Sequence, residues 1–488
     1  MKKFLLLLIF SILAFSSAAF SACAHKENVD KEGDGETEQT MTQLHYASAR
    51  CDGVCDKCGE TMYKGDMSFK LSENQKYYVV SGNDLEGDII LPAYYKDTGD
   101  DDYLPVLEAK SLNGEKLTSI AYHKNVEDAK PGIAPNLTKI TVDSGNPNLK
   151  IKDGVLFSNK GKNLIWYPAL YEKESYTVPS DCEQIDFRAF SQVTKLKHLM
   201  VPQSVESVNN SFIYESTIDR VEILCPVENL HFTGSAFREI VIESIQNFPD
   251  FENMQQLEKA SVKGSYEEIG LRSFWNCVNL CELELSDSYK KIESQAFDNC
   301  VALKSFIIPD SVTQIESWAF KGAGLTQIEW PANLATIEEE TFANCKNLTE
   351  FTIPATVQKI AYGAFSGCTG LTEIVIPATV IDLSEFAFTG CTNVKNYISY
   401  SKTLLSTHDF QKLEKIEIHN ADEIGLFYMI DRSCPVKIYL DNVKVIIMSA
   451  FQDLAPGSEI FVKEMEQPAA WEREWHDDSV TVHWGADF

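Results

Sequence analysis

Residues Leu348 to Cys368 read LTEFTIPATVQKIAYGAFSGC, and residues Leu371 to Cys391 read LTEIVIPATVIDLSEFAFTGC. Leu348, Phe351 and Ile353 return as Leu371, Ile374 and Ile376. Pro354 returns as Pro377, Val357 as Val380, Phe365 as Phe388 and Cys368 as Cys391, each shifted by 23 residues. The letters between them vary, so what repeats is an apolar frame with an open surface. A fixed period in the range of roughly 20 to 50 residues is the signature of a solenoid, in which each turn packs only on its neighbours.

The frame extends upstream through Leu325, Ile328, Trp330, Pro331 and Phe342, and through Leu303, Phe306, Ile308, Pro309 and Phe320. Leu280, Leu283, Leu285 and Phe297 fit as well, with Ser286 in the place of the proline. The phenylalanines at 274, 297, 320, 342, 365 and 388 step by 22 or 23. Weaker copies carry Leu199 and Val201, Val221 and Ile223, and Ile240 and Ile242. Downstream the pairs Ile416/Ile418, Ile438/Leu440 and Ile460/Val462 continue the frame.

L-x-x-I-x-I alternates with period two, which predicts a short half-buried strand. The proline after it cannot donate to a ladder and ends the strand. V-x-x-I and A-F-x-x-C then return the chain along the convex side. These residues resemble the BspA-like leucine-rich repeat family, a bacterial cell-surface lipoprotein type, whose repeats read L-x-x-I-x-I-P-x-x-V-x-x-I-x-x-x-A-F-x-x-C. The segment Asn146 to Pro179 resembles the longer, hairpin-bearing repeat found in the same family. The resemblance implies a leucine-rich repeat solenoid, a right-handed superhelix with a concave parallel β-sheet and a convex side of irregular or short 3-10 structure. Its repeats of about 22–24 residues are expected over residues 66–462. In the remaining 463–488, Trp471 and Trp475 stand four apart with Pro468 near the start, which predicts a C-terminal helical cap. Val480 to Trp484, VTVHW, is expected to add a final strand.

The chain opens with Lys2 and Lys3, an apolar run from Phe4 to Phe15 and small residues to Ala22 and Cys23. Such a segment reads as a signal peptide over residues 1–22, too short to be a stable membrane span. Phe20-Ser21-Ala22-Cys23 resembles a bacterial lipobox, which makes Cys23 the lipidation site and the membrane a contact only through that anchor. The competing reading is cleavage after Ala24, which would discard the cysteine. Residues 23–44 then form a flexible acidic tether. The localisation expected is export, with lipid anchoring at the bacterial outer membrane or cell surface, or else secretion. The formal net charge is −29, and removing residues 1–22 with their two lysines makes it −31. Such an acid balance disfavours nucleic acid and favours a basic protein ligand, from a host or another bacterial surface.

Eight of the thirteen cysteines fall into two groups. Cys277, Cys300, Cys345, Cys368 and Cys391 keep the register of the repeat, and Ala323 takes the same place in another copy. Exchange with alanine implies structural buried thiols. The other group, CDGVCDKCGE, places Cys51, Cys55 and Cys58 near His45 in a Cys-rich element over residues 45–65. Four such ligands could hold a structural zinc. The alternative in an exported protein is one disulfide and a spare thiol.

No G-x-S-x-G elbow, H-E-x-x-H helix, phosphate loop or dinucleotide fingerprint is present, so no catalytic residue is assigned. What remains is the surface. In L-x-x-I-x-I the residues flanking the isoleucine point away from the core. They include Glu239, Glu282, Glu284, Glu329, Glu350, Thr352, Glu373 and Val375, with Ser305 and Ile307 breaking the row of glutamates. A cell-surface binding or adhesion protein is expected, acting through protein–protein contact on this face. An envelope scaffold that holds a partner of the same cell is the alternative.

Overall fold

The computed structural model describes residues 46–47, 54–55, 61–99, 102–349, 351–405, 407, 409–425, 434–452 and 454–488. The expected lipidation site Cys23, the expected tether and the candidate zinc ligands His45, Cys51 and Cys58 lie outside the described residues. Among those described, no helix is long and apolar enough to cross a membrane. The chain divides into two units, Met1–Gly161 and Lys162–Phe488.

The first unit begins with an antiparallel pair, Lys64–Leu71 against Tyr78–Ile90. The long second strand then pairs in parallel with Leu104–Leu112 along one stretch and with Lys116–Tyr122 along another. Lys139–Val142 follows in parallel on Lys116–Tyr122. Where the longer repeat is expected, Lys150–Lys152 and Val155–Ser158 form an antiparallel hairpin. Asp153 and Gly154 turn it at φ 49° and 79°, the left-handed pair that matches the twist of a two-residue hairpin.

The second unit is a parallel solenoid. Six strands follow one another in a first sheet, from Ser175–Thr177 through His198–Val201, Thr217–Ile223, Ala236–Ile245 and Lys259–Gly264 to Glu282–Leu285. Six more make a second sheet, from Glu373–Ile376 through Asn396–Ser399, Lys415–His419, Lys437–Asp441 and Glu459–Val462 to Thr481–Trp484. Inward residues stand in register, as in Ile374, Tyr397, Ile416, Ile438, Ile460 and Val482. The V-x-x-I segments build a second, shorter ladder. Its strands are Glu268–Ile269, Lys291–Ile292 and Gln314–Ile315, and then Thr336–Ile337, Lys359–Ile360 and Asp382–Leu383.

Between the turns runs a stack of phenylalanine rings. Phe251, Phe274, Phe297, Phe320, Phe342, Phe365 and Phe388 lie 4.9–5.5 Å apart and within 15° of parallel. Phe232 extends the stack at 5.8 Å. Their spacing is close to that of strands, because the same turn-to-turn rise sets both. From Phe251 to Phe365 the amide of each ring's residue bonds the next turn, as Phe274 does to the Ala296 carbonyl at 2.8 Å and Phe342 to Ala364 at 2.8 Å. Two residues on, every turn passes through the left-handed region, at Asn253, Asn276, Asn299, Gly322, Asn344, Gly367 and Gly390, with φ of 60–76°. Asparagine and glycine occupy that column because they tolerate the conformation best. Asn276 and Asn299 each donate their amide to the asparagine below, at 2.8 and 2.7 Å.

On the sheet face the ladder lapses over three turns. Residues 303–308, 325–330 and 348–353 carry the L-x-x-I-x-I frame, but their described residues form no strand, and Ile307 and Glu329 make an isolated bridge there.

The predicted C-terminal helix is absent: residues 464–475 run through turns. Their amides reach back to the preceding turn, Glu472 to the Ile446 carbonyl at 2.8 Å, and the carbonyls of Glu474 and Trp475 accept from Ser449 and Phe451. Glu474 sits at φ 62°, which a helix cannot contain. A short isolated helix is marginal in water, and bonding to the solenoid wins. Trp471 and Trp475 are buried there, rings 5.2 Å apart and edge to face, and the Trp471 indole donates to the Val443 carbonyl at 3.1 Å. Thr481–Trp484 is the last strand, as expected, parallel to Glu459–Val462. Apart from its two-residue strands the convex side of this unit is made of turns, and the one 3-10 segment among the described residues, Asn159–Gly161, belongs to the first unit.

Candidate functional site

The solvent-facing residues of the two sheets form columns that run from strand to strand. In the first sheet Arg220, Glu239, Lys259 and Glu282 stand opposite one another in register. Their charges alternate. Arg220 pairs with Glu239 and, on its own strand, with Glu222. Lys259 meets Glu282 at 2.7 Å, and the carboxylate holds the ammonium above its ordinary range. Lys263 lies 3.8 Å from Glu284, which also accepts from the Ser261 hydroxyl at 3.0 Å. So Glu239, Glu282 and Glu284, expected as part of an acidic face, each have a cation beside them. Adjacent opposite charges across strands are mildly stabilising, whereas a run of glutamates would repel.

Glu329, Thr352 and Glu373 are exposed and Val375 is half-buried. Gln327 donates to Glu329 at 3.4 Å and Asn396 to Glu373 at 3.1 Å. Glu350 lies outside the described residues. Ile307, in the break of the row, is 69% exposed.

The second sheet presents a different column. Val375, Ile398, Glu417, Tyr439, Phe461 and His483 are opposite one another in register, all on the solvent side. Tyr439 stacks on Phe461 at 4.8 Å and 12°, and Phe461 on His483 at 4.6 Å and 13°. Phe488 closes on Tyr439 edge-on at 5.1 Å, and one column over Tyr400 stacks on His419 at 4.6 Å. Lys415 reaches over Tyr439, 5.3 Å from its ring centre. Rings with an apolar body and a polar rim, rigid and half-exposed, are what protein interfaces favour at their centres. Reading the sequence for glutamates passed over this column. The signal was nonetheless there, in the middle letters of KIYL (437–440), EIFV (459–462) and TVHW (481–484).

The in-register cysteines are all fully buried. Each thiol donates to a phenylalanine carbonyl one turn earlier: Cys277 to Phe251 at 3.2 Å, Cys300 to Phe274 at 3.1 Å and Cys345 to Phe320 at 3.2 Å. Cys368 and Cys391 repeat the bond to Phe342 and Phe365 at 3.1 and 3.2 Å. Burial pushes the Cys277, Cys345 and Cys391 thiols up to about 12, and Cys300 and Cys368 well above their ordinary value. Cys281, by contrast, is exposed. A maleimide added to the native protein therefore modifies Cys281 roughly a hundredfold or more faster than the five core thiols, which react only on unfolding. Peptide mass mapping after a timed quench reads this directly, and rapid labelling of Cys345 would contradict it. Of the candidate zinc ligands, Cys55 is described and buried. Among the described residues no group of three or more histidine, cysteine or acidic side chains is placed to hold a metal ion.

A family model for the BspA type leucine-rich repeat region matches the chain in six copies, over residues 169–240, 227–349 and 336–455. A search of curated proteins returns no match. Among solved structures, a leucine-rich repeat protein from Bacteroides ovatus is 17% identical, covering 86% of this chain and 98% of its own, with a TM-score of 0.47. One from Eubacterium ventriosum is 19% identical over 55% of this chain and 95% of its own, with a TM-score of 0.41. A leucine-rich cell surface protein from Faecalibacterium prausnitzii is 20% identical over 70% of this chain and 95% of its own, with a TM-score of 0.36.

Proposed function

The chain belongs to the BspA-type leucine-rich repeat family, and from that premise we propose that it is an exported, surface-held protein whose solenoid sheet binds a protein ligand. The stacked column of Tyr439, Phe461 and His483 supports this reading above any other observation. Nothing in the core of the solenoid requires aromatic side chains on the solvent side, and each costs exposed apolar surface. The first sheet, with its alternating charges, supplies a polar flank that sets orientation and register rather than affinity. Adhesion to host proteins or to other cells is the use that follows from this face and from anchoring at Cys23. Scaffolding within the envelope is the second use, and the partner's source separates the two.

The test is a pull-down of envelope and host proteins on the mature chain, residues 24–488, at low and high salt. Tyr439→Ala and Phe461→Ala each weaken the captured partner by about tenfold to a hundredfold, the range of an interface hot spot. Their far-ultraviolet circular dichroism stays that of the parent. Release at high salt would instead assign the affinity to Glu329 and Glu373, the least paired of the glutamates. A partner held equally by parent and aromatic variants at both salt concentrations would end the proposal.

A further inference from the structure

The lapse in the sheet ladder coincides with two features of the sequence. Each of the three turns without a strand carries an aromatic residue at an inward strand position: Phe306, Trp330 and Phe351. The rings lean on the phenylalanine stack rather than beside it. Phe306 is 4.9 Å from Phe297 and 5.7 Å from Phe320, Trp330 is 5.4 Å from Phe342, and Phe351 is 4.7 Å from Phe365. All three remain half-buried, whereas Ile374 and Ile376 in the neighbouring strand are fully buried. A single inward ring is accommodated, since Tyr397 sits buried and in register between Ile374 and Ile416. Three in succession overfill the slot and hold the turns out of ladder geometry.

The second feature is a turn one residue short. Leu303 to Leu325 spans 22 residues, because Ala323-Gly324 stands where the preceding turn has Cys300-Val301-Ala302. There the shorter ladder also breaks, ending at Gln314–Ile315 and starting afresh at Thr336–Ile337. Across this joint the sheet side keeps the bridge of Ile307 with Glu329 and the bond from the Thr326 amide to the Lys304 carbonyl at 3.0 Å. The convex bonds and the ring stack continue through it.

We propose that turns 303–353 are a hinge, at which the two six-stranded sheets flex toward and away from each other about the continuous phenylalanine stack. Intact ladders make each sheet stiff, and motion concentrates where the sheet ladder lapses, most of all at the joint between Gln314–Ile315 and Thr336–Ile337, where the shorter ladder breaks as well. Opening and closing the sheet face on a ligand is the use this motion serves; that use rests on the binding reading, and the hinge itself does not.

Hydrogen exchange read by mass spectrometry on the ligand-free chain tests it. Amides of 305–308, 327–330 and 351–353 exchange roughly a hundredfold faster than those of 282–285 and 373–376. In the triple variant Phe306→Ile, Trp330→Ile, Phe351→Ile they slow to the flanking rate. Single-molecule energy transfer between dyes on non-natural residues at Thr177 and Thr481 gives a broad distance distribution in the parent and a narrower one in the variant. If the triple variant does not fold, Phe306→Ile alone is read on the 305–308 amides. Slow exchange in the parent, or equal distribution widths, would overturn the hinge. Because both readings are taken without ligand, a failed pull-down leaves them unaltered.

Discussion

Phe342→Ala lowers the unfolding free energy by about 3–5 kcal/mol, the cost of removing a fully buried phenylalanine that its surroundings cannot replace. The ring has no exposed surface and packs on Phe320 at 5.4 Å and Phe365 at 5.5 Å, within 6° of both planes, with Trp330 at its edge. The cavity cannot collapse, because the main chain on either side is held by the Phe320–Thr341 and Phe342–Ala364 carbonyl bonds. Loss of the ring also uncouples neighbours. In a structure whose turns contact only adjacent turns, a weakened interface lets the two sides unfold separately. A urea titration followed by circular dichroism is then expected to show two transitions in place of one. A single transition shifted by less than about 1 kcal/mol would mean the stack contributes far less than its burial indicates.

Gly324→Ala is the second large effect, about 1–3 kcal/mol or more of destabilisation from overpacking. An added Cβ would stand 2.1 Å from the Val301 carbonyl oxygen and 2.8 Å from its carbon, both backbone atoms that cannot swing aside. The cause is close backbone approach just before the repeat leucine, which recurs at Gly370, where an added Cβ would stand 2.5 Å from the Leu348 carbonyl oxygen. Gly322, two residues away, is the control. It lies at φ 68° with its nearest neighbour 3.8 Å from a would-be Cβ, in the column that asparagine fills elsewhere. Gly322→Asn is accordingly expected to change stability by no more than about 0.5 kcal/mol. Thermal unfolding of the two variants side by side separates close approach from backbone conformation as the reason a glycine is needed.

The parallel solenoid, the in-register cysteine column and the final strand were all legible from one repeated frame. Periodicity reports which residues face inward, and inward residues decide the architecture. Three things were not legible, each for a physical reason. Phe306, Trp330 and Phe351 fit the apolar frame as well as isoleucine does, so hydrophobicity conceals that their turns depart from the ladder. Residues 464–475 carry two tryptophans at helical spacing, yet their amides and carbonyls find partners one turn back, a choice that only the tertiary context settles. The pairing of Glu239, Glu282 and Glu284 depends on Arg220, Lys259 and Lys263 in adjacent strands. The Lys259 turn, with Ala260 in place of the usual large aliphatic residue, stands outside the strongest repeats, and its cations were therefore not set against the glutamates.

The bonding pattern has a mechanical consequence. In the second unit almost every ladder bond runs from one turn to the next, along the direction in which turns are added. A pull between Lys162 and Phe488 would therefore load those bonds one interface at a time, as in opening a zipper, rather than shearing many together. Each turn that peels away frees 19 to 23 residues, a gain of about 65–80 Å of extended chain. The protein would then yield in small, regular steps at low force and re-form turn by turn as tension falls.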